Sequence, residues 1–134
     1  MDVVVTVPKN FHYGGKVGLA AWISEGDAAG EPWTGEEWHF YLGGYPPKIV
    51  PGDRVYIVCN EKLRGYAPLV RLEENMFERV DRLQPSPEPR GYALVRHGGA
   101  VAVTIDEVIK GFRGFRYVWW KREDEKPFPD WRTP

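Results

Sequence analysis

The fold turns on residues 51–73, PGDRVYIVCNEKLRGYAPLVRLE. Pro51, Gly52 and Asp53 give a turn signal ahead of RVYIVCN (54–60), where β-branched and aromatic residues crowd into a strand pattern. Glu61 and Lys62 separate that strand from a second one, residues 63–73, so the pair reads as a β-hairpin. Gly65 inside the returning strand marks a bulge or a close backbone approach.

The pattern continues on both sides of the hairpin. Upstream, DVVVTV (2–7) predicts a strand buried on both faces, because β-branched residues fill it without alternation. Residues 18–24 (GLAAWIS) predict a short helix that sets Leu19 beside Ile23 or Trp22. WHFYL (38–42) predicts a strand with His39 and Tyr41 on one face and Trp38, Phe40 and Leu42 on the other. Downstream, a weak helical pattern runs from Glu74 to Asp81, and QPSPEP (84–89) is a proline-rich loop. Residues 92–96 and 101–103 read as strands on either side of a His97–Gly98–Gly99 turn, residues 106–109 as one helical turn, and residues 113–120 as the last strand. The expected fold is mainly β (α+β), with about six or seven strands in a mixed, mostly antiparallel barrel or curled sheet. One domain covers residues 1–122, and residues 123–134 form a loosely packed C-terminal arm.

A chain of 134 residues is long enough for one domain with a real core. No apolar run approaches the roughly 18 residues of a membrane helix, and MDVVVTV carries no basic leader, so a soluble, cytoplasmic protein without a membrane partner is expected. The single cysteine, Cys59, excludes an internal disulfide framework and a zinc cage, and it reads as a small apolar strand residue. His12, His39 and His97 stand in no metal-ligand spacing, so neither a metal nor a cofactor is expected. The nucleophile elbow, the phosphate loop and the dinucleotide fingerprint are all absent.

Charge and aromatic content point toward a ligand. The net charge is -1, yet residues 19–53 carry six acidic groups against one lysine, while residues 90–122 carry seven basic groups against Asp106 and Glu107. Six Trp, seven Tyr and six Phe make up 14% of the chain, and Phe112, Phe115, Tyr117, Trp119 and Trp120 crowd beside Lys110, Arg113 and Arg116. Rings stack on nucleobases and guanidinium groups hold phosphates, so two or three tryptophans are expected to face a ligand while the others fill the core. Catalysis has a weaker basis. A small hydrolase would need Lys9 with Glu36, Glu37 or Glu107, and nothing in the spacing brings those groups together.

Residues 49–70, IVPGDRVYIVCNEKLRGYAPLV, resemble the signature of the PUA-like superfamily, which includes the PUA, ASCH, EVE and YTH domains. The shared features are a Gly-Asp turn opening a strand, a short hairpin and a glycine early in the returning strand. The closing stretch GFRGFRYVWW (111–120) is similar to the aromatic and basic last strand of several bacterial members. The GxKxxExR string typical of ASCH proteins is absent. The resemblance, over about residues 1–122, implies a small β-pseudobarrel with a cleft beside its helical inserts. It also implies binding of RNA, or of a modified base in an aromatic cage, with Trp22 and Trp38 as the cage candidates.

The leading expectation is a non-catalytic module for RNA or a modified nucleotide. In it Arg96, Arg113 and Arg116 contact phosphate, Arg64 lines the cleft, and Trp22, Trp38, Phe115 or Trp119 stack on a base, with His39 nearby. Strand alternation sets Phe115, Tyr117 and Trp119 opposite Arg116, Val118 and Trp120, so Phe115 and Arg116 serve one site only if a bulge intervenes. An ASCH-type hydrolase acting on a modified nucleoside, and a protein-interaction module or homodimer, are the alternatives.

Overall fold

The computed structural model describes residues 1–25, 35–74, 91–97 and 101–134. In chain order its elements are β1 (Val3–Thr6), β2 (His12–Tyr13), β3 (Lys16–Val17), α1 (Leu19–Glu25), β4 (Glu37–Leu42), β5 (Arg54–Cys59) and β6 (Lys62–Glu74). There follow β7 (Tyr92–His97), β8 (Val103–Thr104), β9 (Phe115–Tyr117), a 3-10 turn (Arg122–Asp124) and β10 (Lys126–Pro127). Six strands form one mixed sheet in the order β4-β7-β6-β5-β1-β9. Within it β1 runs parallel to β5 and every other neighbour is antiparallel. The fold is mainly β, as the strand pattern predicts. The sheet is open: among the described residues β4 and β9 each pair on one side only, so no ladder closes a barrel. None of the described helices is long and apolar enough to cross a membrane.

The hairpin that organises the sequence also organises the sheet. β5 and β6 pair from Arg54↔Pro68 to Cys59↔Lys62, one residue out of the expected register. The two-residue turn is Asn60–Glu61, with φ of 51° and 63°. Left-handed backbone at both positions matches the twist of the strands it joins. Opposite Ile57 and Val58 stand Gly65 and Leu63, which leaves Arg64 as the extra residue of the expected bulge.

Both faces of the sheet centre are covered, which explains the unbroken valines of β1. Val3, Val5, Val55, Ile57 and Cys59 enter one core with Trp22 of α1 and Trp131 near the C-terminus. Val4, Tyr56 and Val58 enter the other with Leu63, Ile105 and Ile109. Successive residues of a strand point to opposite faces, so a strand at the centre of such a sandwich needs apolar residues at every position. β4, at the edge, shows the expected alternation: His39 and Tyr41 face out and Trp38, Phe40 and Leu42 face in.

Several local expectations are corrected. Val101 bridges Tyr66 of β6, and the strand after it is Val103–Thr104. Residues 106–109 form a bend and coil with no helical turn. The last strand shrinks to Phe115–Tyr117, because Gly114 takes a left-handed φ of 70° and breaks the extended run before it. The weak helix and the proline-rich loop lie outside the described residues, except for Glu74, which ends β6.

The largest correction concerns the C-terminal segment, which is built into the fold. β10 pairs with β8, and Trp131 is buried, with its ring edge-on to Trp22 at 5.9 Å. The bulged Arg64 is fully buried beneath it. Its Nε donates to the Cys59 carbonyl at 2.9 Å, and its Nη1 donates to the carbonyls of Trp131 at 3.1 Å and of Thr133. Closer to the sheet, the Glu125 carboxylate accepts from Tyr56 Oη at 2.6 Å, Trp120 Nε1 at 3.0 Å and Arg54 Nη1 at 3.3 Å. Burial, and then the bond to Glu125, push the Tyr56 phenol above its ordinary pKa.

Candidate functional site

The open flank of the sheet holds a cavity of about 950 Å³. One wall is the outer stretch of β4, His39 to Leu42, and the facing wall is residues 110–114, which lead into β9. Thr6 to Lys9 following β1, Trp22 and Glu25 of α1, and the Asn60–Glu61 turn complete the lining. The second wall approaches closely because residue 111 is glycine: a Cβ there would stand 3.2 Å from Thr6 Cγ2. The size and the apolar walls with a few charged groups suit a small-molecule site.

Six rings line the wall. Phe11, Phe40, Tyr41, Phe112 and Trp22 all border the space, and the His39 ring stacks on Tyr41 at 5.7 Å with 17° between planes. His39 Nε2 also lies 3.8 Å from a Glu73 oxygen. The charges are mixed. Glu25 and Glu61 are acidic, and Lys9, Lys110 and Arg113 are basic. Lys9 Nζ lies 3.9 Å from Glu61, whereas Lys110 and Arg113 make no ion pair or side-chain hydrogen bond among the described residues. Two uncommitted cations therefore stand on the wall facing β4.

Among the sequence candidates, Trp22, His39, Arg113 and Lys9 meet at this cavity. Trp22 is almost wholly buried, so it is a core side chain that also backs the cavity wall. The others go elsewhere. Arg64 is the buried clamp described above and lines no part of the cleft. Arg96 is buried in β7 between Trp38 of β4 and Leu69 of β6, so it cannot reach a phosphate in solvent. Trp38, half-buried opposite Arg96, is also outside the cavity. Phe115 packs edge-on to Tyr92 at 6.5 Å and joins the first core. Arg116 sits 4.4 Å over the Phe112 ring, outside the lining. Trp119 is 44% exposed and donates through Nε1 to Glu107 at 3.2 Å.

The catalytic set does not assemble. Glu37 is bound to Arg71 at 2.9 Å, Glu36 is absent from the cleft, and Glu107 lines a separate cavity of about 370 Å³. That second cavity is acidic, with Asp106, Glu107, Glu123 and Asp124 on its walls and Lys126 ion-paired to Asp106. Cys59 is buried and its thiol is pushed up to about 11 by desolvation, so it is no nucleophile at neutral pH.

Sequence reading missed Phe11, Glu25, Glu61, Lys110 and Phe112 as lining residues. The signal for the last two was the pair of glycines at 111 and 114, which bracket a loop that reaches into the start of the strand expected over residues 113–120. Glu61 has a cost of its own. Left-handed backbone costs a side-chain-bearing residue roughly 1–2 kcal/mol. Glycine's lost freedom costs only about 0.5–1 kcal/mol. Glu61→Gly is therefore expected to stabilise the protein by about 0.5–1 kcal/mol in urea denaturation. A clear loss of stability would mean that the Lys9 contact holds the turn. Comparison with protein-family models, with curated proteins and with solved structures finds no match for this chain, so the reading of the cleft rests on its own chemistry.

Proposed function

We propose that this protein is a non-catalytic binding module for RNA or a modified nucleotide, with one base lodged among the rings of the cleft and phosphate at its basic wall. The observation that carries the reading is the coincidence, in one open cavity, of aromatic side chains with two cations, Lys110 and Arg113, that have no partner among the described residues. Every base presents a π-face worth roughly 1–3 kcal/mol when stacked on an aromatic side chain. Ammonium and guanidinium groups form charge-assisted hydrogen bonds with phosphate oxygens. The resemblance of residues 49–70 to PUA-like proteins supports the same ligand class. The hydrolase alternative is the weaker one, because the carboxylates it calls on stand away from Lys9.

The test is a titration of short RNAs, mononucleotides and modified nucleosides at low salt, read by tryptophan fluorescence with Trp22 at the cavity wall. Quenching that saturates is expected. Tyr41 is 53% exposed, so Tyr41→Ala leaves the fold intact, and loss of one stacking surface should weaken binding roughly tenfold. A panel that leaves the fluorescence unchanged, with calorimetry also silent, ends the proposal.

A further inference from the structure

We infer that the occupant of the cleft is a single nucleotide with a terminal phosphate monoester, and not an internal position of a longer strand. The inference rests on the reading of the cleft as a nucleotide site and narrows it. A phosphate monoester carries about 1.5 to 2 negative charges at neutral pH, whereas each internal phosphodiester carries one. Lys110 and Arg113 are two uncommitted cations three residues apart on one wall, which matches the charge of a single monoester. The third cation of the cleft, Lys9, is already drawn toward Glu61.

The surroundings oppose a continuing backbone. Glu25 lines the same cavity and disfavours a second phosphate there, while the charge of Glu61 is offset by its pair with Lys9. Only two residues, Val108 and Ile109, separate Lys110 from Glu107 on the wall of the acidic second cavity, at most about 11 Å of chain. A longer strand continuing toward that cavity runs toward four carboxylates, Asp106, Glu107, Glu123 and Asp124. Arg116, three residues after Arg113 and outside the lining, has its guanidinium seated on the Phe112 ring.

The experiment compares three probes on the full chain by calorimetry: the four ribonucleoside 5′-monophosphates, their parent nucleosides, and a mixed-sequence RNA octamer with a 5′-hydroxyl. At least one monophosphate is expected to bind ten or more times more tightly than both its nucleoside and the octamer. The exposed double variant Lys110→Ala/Arg113→Ala should erase that advantage, and Arg116→Ala should change it less than twofold. A nucleoside that binds as well as its monophosphate overturns the inference, as does an octamer that binds more tightly or an Arg116→Ala variant that loses as much as the double variant. Each of those outcomes leaves the nucleotide reading of the cleft standing, whereas silence from all three probes removes both.

Discussion

Arg64→Ala is expected to cost about 3–5 kcal/mol of folding stability and to free the C-terminal segment from the sheet. The guanidinium is fully buried and donates to three backbone carbonyls, those of Cys59, Trp131 and Thr133. Hydrogen bonds from a charged donor contribute roughly 1.5–3 kcal/mol each, and the stranded carbonyls lose their partner inside the protein. Burial also depresses the Arg64 pKa, the signature of a charge taken out of water. Arg64→Lys should recover only a small part of the loss, since an ammonium group cannot span three acceptors arranged around a planar fork. Urea denaturation gives the stability, and hydrogen exchange localises the change. Rapid exchange confined to the tail identifies a clamp, and a variant as stable as the parent refutes the assignment.

Trp131→Ala is expected to cost about 3–5 kcal/mol, the range for emptying a large aromatic from a core. Its ring is buried in the first core and stands edge-on to Trp22 at 77°, and Trp22 in turn backs the cleft. The loss should therefore reach the ligand: affinity for the best-binding nucleotide should fall even though Trp131 borders none of the cavity. Denaturation and titration on the same samples separate the two effects. Because Arg64 binds the Trp131 carbonyl, the double variant should lose less than the sum of the single losses. Strict additivity would show that side chain and clamp act independently.

The two expectations share a cause that the sequence concealed. Residues 121–134 are charged and proline-rich, which reads as a loose arm, yet Glu125 accepts three side-chain hydrogen bonds and Trp131 fills the core. The half-buried Glu125 takes one partner, Trp120, from five residues away and two, Tyr56 and Arg54, from about seventy residues away, so a local window shows only part of what holds it. The same holds for the candidate site. The stretch from Lys110 to Trp120 stood out for its rings and cations, but its residues part company: Lys110 and Arg113 line the cavity, Phe112 lines it and also packs on the second core, and Phe115 and Trp120 join the two cores.

By itself the sequence determined that a hairpin forms here, though one residue out of register, that a bulge lies beside Gly65, that β1 is buried on both faces and that β4 alternates. These follow from period-two side-chain geometry and turn chemistry, which act between residues close together in the chain. Only the tertiary structure decided which arginines meet water. Arg64 and Arg113 read alike in one dimension, but the bulge sends the first inward to backbone carbonyls, while the second lines the open cavity. The direction a charge takes is set by the carbonyls and carboxylates that distant segments bring beside it, and that information exists only once the chain has closed on itself.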